Sequence, residues 1–67
     1  MIVYADQLQA GDFACGVDGE LIHLTNVAID ETVDRVIALG HDLFSGGVTI
    51  LPPFTLTNLV EIFDVSY

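Results

Sequence analysis

The chain has 67 residues, with ten Asp or Glu against a single basic side chain, Arg35, and a formal net charge of −9, although 52% of the residues are apolar. A chain of this length forms one domain, residues 1–67, and folding removes only about 60% of its unfolded surface from water. The lack of positive charge argues against direct binding to nucleic acid or anionic membranes. Cys15 is the single cysteine, so stability has to come from apolar packing and oligomerisation rather than from a disulfide.

Neither a membrane span nor a signal peptide is predicted. The apolar runs are far shorter than the ~20 residues that cross a bilayer. The first residues, Met1 to Tyr4, have no basic flank. We therefore expect an intracellular origin, which the lone thiol also favours.

Short runs rich in Val, Ile, Leu, Thr and Phe alternate with turn signals along the whole chain, which is typical of an all-β protein. The Asp18-Gly19 pair predicts a type I′ turn, in which both central residues have positive φ. Gly46-Gly47 predicts a hairpin turn, and Pro52-Pro53 should end a strand or lie on a sheet edge. In chain order we predict an extended segment at 2–5, a helical turn capped by Asp6, strands near 12–17, 20–29, 33–39, 48–51 and 59–65, and a short turn at 55–59.

Five short strands allow two architectures: a small five-stranded SH3-like barrel, or a strongly bent antiparallel meander that pairs with a second copy. In residues 5–13, Leu8 precedes a Gly11-Asp12 turn into the first strand. This stretch resembles the opening of SH3-like small β-barrel proteins, including small proteins of actinobacterial phages, and residues 51–53 and 60–62 are similar to their closing strand. The resemblance implies a fold but no particular activity, and such barrels usually serve as binding or assembly modules. Many such barrels bind nucleic acid through basic loops, which this chain lacks.

The apolar residues of the longest strands occupy both alternating positions. A β-bulge near Thr25-Asn26 would switch faces within the second strand. Alternatively, both faces are covered, one by the core and one by a partner. We favour a partner, because an apolar patch much above roughly 400 Å² is rare on a monomer.

The last strand is predicted to carry the interface. Val60 and Ile62 share one side of it and are assigned to the core, which leaves Leu59 and Phe63 for the partner. The full set predicted at the interface is Leu59, Phe63, Val65, Leu21 and Arg35. Asp30, Glu31 and Asp34 form an acidic surface, which is either a solvated loop or a docking surface.

No catalytic, cofactor or metal site is predicted. His23 and His41 could serve as a base or metal ligand, but a structural role is favoured for both, and the spacing of Cys15 and the two histidines does not fit a zinc site. Cys15 is expected to be a buried, inert thiol.

Two functions are consistent with these sequence features. The first is a non-enzymatic accessory protein of a phage particle, of the minor capsid or decoration type. It would bind copies of itself or a larger shell protein and be found in the virion or host cytoplasm. The alternative is an acidic decoy that blocks the basic nucleic-acid-binding surface of a host enzyme.

Overall fold

A computed structural model describes residues 1–63 of the chain. It is all-β with a single turn of 3₁₀ helix at Ala5–Gln7. The strands are β1 (Ile2–Tyr4), β2 (Phe13–Cys15), β3 (Leu21–Asp30), β4 (Arg35–Asp42), β5 (Val48–Ile50) and β6 (Leu59–Phe63).

All six strands belong to one antiparallel sheet in the order β1-β6-β2-β3-β4-β5. The sheet is open, so the five-stranded barrel predicted from the sequence is not what the chain forms. The segment predicted as an extended lead-in is a sixth strand, because it pairs with the far side of β6. β6 is thereby flanked by β1 and β2, while among the described strands β5 pairs with β4 alone. Within residues 1–63, no hydrogen-bonded ladder joins β1 to β5.

The sheet nevertheless curls around one core. Val3 of edge strand β1, and Phe54 just beyond β5, pack against the same cluster of buried side chains. Phe54 also exchanges backbone hydrogen bonds with Val36 at 2.8 and 3.0 Å, which extends the pairing along β4. The buried cluster comprises Ala5, Leu8, Ala14, Ile22, Leu24, Val36, Ala38, Leu51 and Val60.

The structure contains the β-bulge that the sequence left as the less favoured of two explanations for the second core strand. The register of β3 against β4 shifts between Leu24 and Asn26, so that Thr25 is the extra residue. Leu24 is fully buried, and beyond the shift Val27 of the opposite parity packs against the core. The bulge explains why apolar residues occupy both alternating positions of this strand.

The turn after β2 is a three-residue loop rather than the predicted type I′ turn. The Gly16 N–H donates to the Glu20 carbonyl at 2.8 Å, and the Gly19 N–H donates to the Gly16 carbonyl at 3.1 Å. Gly19 has φ +82°, but Asp18 is not among the residues with positive φ. The positive φ therefore falls on the last loop residue alone, as in three-residue hairpins that end in a glycine.

Two short turns meet at the start of β6. The predicted cap of the first turn is wrong, since Gln7 rather than Asp6 supplies it: the Tyr4 N–H donates to Gln7 Oε1 at 3.0 Å. The predicted turn before β6 is present, with the Thr55 N–H donating to Asn58 Oδ1 at 2.8 Å. The Ala5 N–H then donates to the Asn58 carbonyl at 2.8 Å, which ties the two turns together.

Candidate protein-binding face

The two faces of the sheet differ in what covers them. In β4, Val36 and Ala38 are fully buried, whereas Ile37 and His41, of the opposite parity, are exposed. Residues paired across an antiparallel sheet lie on the same face, so the registers extend this division over all six strands. The inner face holds the core. We call the side that carries Ile37 and His41 the outer face.

A line of cross-strand neighbours runs over the outer face from β6 to β5. Phe63 pairs with Phe13 of β2, which pairs in turn with His23 of β3. His23 pairs with His41 of β4, and His41 pairs with Val48 of β5. We call these five residues the outer row. It contains no carboxylate, in a chain with ten of them.

The middle of the outer row is ordered by an aromatic stack. The rings of Phe13 and His23 have centroids 4.7 Å apart and planes 14° from parallel. Both side chains are half-buried, while the ends of the outer row are open, with Val48 68% and Phe63 42% exposed. The outer row is therefore ordered by the ring stack at its centre and accessible to a partner at its ends.

Further apolar side chains widen the outer face on both sides of the outer row. Tyr4 pairs with Leu59 at one margin, and Leu39 pairs with Ile50 at the other. Leu59 and Ile50 are each 67% exposed. Glu61, paired with Ile2, is an exposed charged residue of this face between Leu59 and Phe63. Extensive exposed apolar surface on a domain marks an interaction site or an aggregation liability. The large apolar residues exposed on this face are Ile2, Tyr4, Ile37, Val48, Ile50, Leu59 and Phe63.

The parity predicted for the last strand is confirmed. Val60 is buried and Ile62 packs against the core, whereas Leu59 and Phe63 point to the outer face and are exposed. The assignment of those two residues to an interface stays a prediction. Val65, predicted at the same interface, lies outside the described residues.

The other two predicted interface residues lie in different places. Leu21 is half-buried and pairs with Cys15, which puts it on the outer face beside the outer row. Arg35 is exposed at the start of β4, opposite Asp30. It is six residues from His41 along an extended strand, which is roughly 20 Å. The structure therefore groups Leu21 with Leu59 and Phe63 and leaves Arg35 at the far tip of the β3–β4 hairpin.

The predicted acidic surface lies at this hairpin tip, and two of its three carboxylates accept hydrogen bonds. Asp30 Oδ1 accepts hydrogen bonds from the Thr32 hydroxyl at 2.6 Å and the Thr32 N–H at 3.0 Å, which lower the pKa of Asp30. Asp34, at φ +54°, accepts the Leu56 N–H at 2.9 Å. Glu31 is exposed. Asp30 therefore helps to build the turn at the tip, and Asp34 joins the tip to the turn before β6.

Carboxylates elsewhere in the chain act in the same way. The side chains of Asp12, Glu20 and Asp42 each accept a backbone N–H from a residue two or three positions away. With Asp30 and Asp34, they account for half of the acids in the sequence. Much of the negative charge therefore sits at turns, where it completes the hydrogen bonding of the backbone.

The structure does not assemble the candidate chemical groups into a reactive site. Among residues 1–63, no three His, Cys, Asp or Glu side chains are grouped so that they could hold a metal ion. Cys15 is half-buried, with its thiol 3.5 Å from the Gly16 carbonyl. The prediction of a fully buried thiol is wrong, because Cys15 alternates with buried Ala14 and so falls on the outer face.

A cavity of about 220 Å³ opens at one end of the sheet, beside Leu59. Its lining includes Leu51, Phe54 and Cys15, and Glu61 is the only charged residue that the described part of the chain contributes. It is smaller than the pockets of roughly 300–1,000 Å³ that hold small-molecule ligands. A single apolar side chain of a protein partner is a better match to its size.

No protein-family profile, curated protein or solved structure matches this chain. In the part of the chain that the structure describes, no helix is long and apolar enough to span a membrane. The outer face and the placement of the charges are the features of the molecule that bear on its function.

Proposed function

We propose that this protein is a non-enzymatic assembly module that binds other protein chains through the outer face of its sheet. The observation that carries the proposal is the outer row, a line of cross-strand neighbours from Phe63 to Val48 without a carboxylate in it. Exposed apolar area of this extent is unfavourable in water, and covering it stabilises an association by roughly 25 cal/mol per Å² before the costs of ordering.

The setting proposed for this assembly is the particle of a phage, with the protein as a minor capsid or decoration component. Further copies of the chain, a larger shell protein or both would cover the outer face. This setting rests on the resemblance of residues 5–13, 51–53 and 60–62 to small phage proteins. It places the protein in the virion or in the host cytoplasm.

The placement of charge supports assembly over the acidic decoy. A decoy needs a dense array of free carboxylates to compete for a basic groove. Here five carboxylates, including Asp30 and Asp34 at the predicted acidic surface, accept hydrogen bonds from the chain's own turns. These carboxylates are spread over separate turns, and Glu61 lies on the outer face itself, so the acids are dispersed rather than gathered in one array.

Replacing Phe63 by Asp tests the proposal. The variant places a carboxylate on the outer face, where a partner would have to desolvate it. In the free chain the side chain is 42% exposed, so the fold should persist. We expect Phe63→Asp to lose the contacts made through the outer face, measured by light scattering and by co-purification with particle proteins, while circular dichroism is unchanged.

Val33→Asp is the matched control. Val33 is 59% exposed at the tip of the β3–β4 hairpin, away from the outer row, and the substitution changes the charge by the same amount. It should associate as the unmodified chain does. Equal association of the two variants would show that the outer face is not the binding surface.

A further inference from the structure

Edge strand β5 presents backbone groups that no strand of its own sheet uses. The Asp42 N–H donates to the Gly47 carbonyl, and the Leu51 N–H donates to the Ala38 carbonyl, each at 2.9 Å. In an antiparallel pair, hydrogen-bonded residues alternate with residues whose N–H and C=O point the other way. The N–H and C=O groups of Val48 and Ile50 therefore point away from β4, toward solvent.

The opposite edge of the sheet is partly blocked. Met1 and Ile62 exchange two hydrogen bonds, so by the same alternation Ile2 and Tyr4 direct their backbone groups outward. The Tyr4 N–H, however, already donates to Gln7 Oε1 at 3.0 Å. A side chain of the same molecule thus occupies part of the β1 edge, and none of residues 1–63 covers β5 in this way.

β5 also lacks the features that usually keep an edge strand from pairing. Lysines, inward-pointing charges and bulges are the common protections. Residues 43–60 contain no charged side chain, although the chain carries a net charge of −9. A second copy approaching this edge therefore meets the least repulsive stretch of the molecule.

From these groups we infer that β5 pairs antiparallel with β5 of a second copy, about a twofold axis that passes through Thr49. Val48 of each copy then lies opposite Ile50 of the other, and the two pairs form four backbone hydrogen bonds. The contact is isologous, as in most closed dimers. It gives each apolar side chain of β5 an apolar cross-strand neighbour.

The sequence around β5 disfavours the two neighbouring registers. Pairing Ile50 with Ile50 would place Val48 opposite Pro52, which has no N–H to donate. Pairing Val48 with Val48 would place Ile50 opposite Gly46, which has φ +75° and whose N–H donates to the Asp42 carbonyl at 2.7 Å. The register centred on Thr49 is thus the one that satisfies all four exposed groups.

This dimer would join two open sheets into a continuous sheet of twelve strands. A twofold axis through paired edge strands keeps both outer faces on the same side, so the outer row of each copy continues from Val48 onto Ile50 of the other. The inference specifies one contact of the proposed assembly and rests on that proposal for its purpose. Because the paired strands are short, we expect a weak dimer that forms in the micromolar range or above.

Proline substitution at the two edges tests which edge pairs. Ile50→Pro removes an N–H that points away from β4, so the sheet keeps its own hydrogen bonds. Ile2→Pro makes the same change at the equivalent position of β1 and is the matched control. In sedimentation velocity over a concentration series, Ile50→Pro should be monomeric and Ile2→Pro should dimerise like the unmodified chain. The reverse result would overturn the inference.

A cysteine cross-link tests the register without weakening the edge. In a Cys15→Ser background, Thr49→Cys places two thiols at the axis, where paired Cα atoms are about 4.5 Å apart, within disulfide range. We expect oxidation to give a covalent dimer. Thr57→Cys, exposed in the turn before β6, is the matched control and should stay largely monomeric. Equal cross-linking of the two variants would contradict the register.

The Phe63→Asp and Ile50→Pro variants together distinguish the β5 dimer from association through the outer face. If Phe63→Asp stays dimeric and only Ile50→Pro gives a monomer, the β5 contact stands apart from the outer face. If Phe63→Asp is monomeric and Ile50→Pro still associates, the outer face is the interface and the β5 dimer is wrong. An unmodified chain that stays monomeric at millimolar concentration would also refute the β5 dimer.

Discussion

Phe13 and His23 stack face to face across the β2–β3 pair, with ring centroids 4.7 Å apart. Each also pairs with a second residue of the outer row, Phe13 with Phe63 and His23 with His41. The stack thus joins the two halves of the outer face. His23, which the sequence offers as a base or a metal ligand, is a packing element of the candidate binding face.

Removing this stack should destabilise the sheet modestly. Stacked ring pairs contribute about 0.5–1.5 kcal/mol beyond their buried area. We expect His23→Ala to lower the free energy of unfolding by about 1–2 kcal/mol in urea titrations. His23→Phe retains a flat ring and should stay within about 0.5 kcal/mol of the unmodified chain. A loss equal to that of His23→Ala would assign His23 a role other than stacking.

Gly40 should not tolerate a side chain. A Cβ atom built at this position would overlap the His23 carbonyl, with Leu24 Cα at 2.8 Å, and backbone atoms cannot easily move aside. We expect Gly40→Ala to cost at least about 2 kcal/mol, measured by thermal or urea unfolding. Gly47→Ala is the matched control, since its Cβ would meet only Ser45 Oγ at 3.5 Å. Similar midpoints for the two variants would contradict the close approach of β3 and β4.

The pKa of Asp30 should report the turn at the hairpin tip. The Thr32 hydroxyl is the main cause that lowers this pKa from its usual 3.8, with the Thr32 N–H next and Arg35 a minor contributor. Thr32→Val should therefore raise the pKa of Asp30 in an NMR titration of its carboxyl carbon, whereas Thr32→Ser should preserve it.

The sign of the pH effect follows from the lowered pKa. Because the folded pKa lies below the unfolded value, the turn's contribution to stability is present above pH 3.8 and is lost as the pH falls through the folded pKa. Thr32→Val and the unmodified chain should therefore differ in unfolding midpoint at neutral pH and converge in acid. A difference that grows in acid would show that the turn does not act through the ionised carboxylate.

Cys15 should act as a reporter of the outer face. Its thiol is half-buried next to Leu21. If partners cover this face, a thiol reagent should label the Phe63→Asp chain faster than the associated, unmodified chain at the same concentration. In 6 M guanidinium both should label at one rate, which controls for intrinsic reactivity. Equal native rates would mean that association leaves Cys15 uncovered.

The sequence by itself determined the five core strand segments and the places where the chain turns, but not the turn type at Asp18-Gly19 or the capping of the first turn, and it offered the bulge as the less favoured of two explanations. The strand segments and turn positions depend on interactions between near neighbours: β-branched residues favour extended backbone, and a residue such as Gly19 adopts positive φ wherever the chain places it. The alternation of Val60 and Ile62 with Leu59 and Phe63 likewise gave the correct faces of the last strand, because side chains of a strand alternate by geometry.

Only the tertiary structure decided how the strands pair and therefore what the site is. Nothing in Ile2 to Tyr4 indicates that it adds a strand beyond β6 and leaves the sheet open, because that pairing joins residues far apart in the chain. The same long-range pairings place Phe13, His23 and Val48 in one row. The local sequence pattern cannot predict such neighbours, because strand pairing depends on which strands pack around the common core.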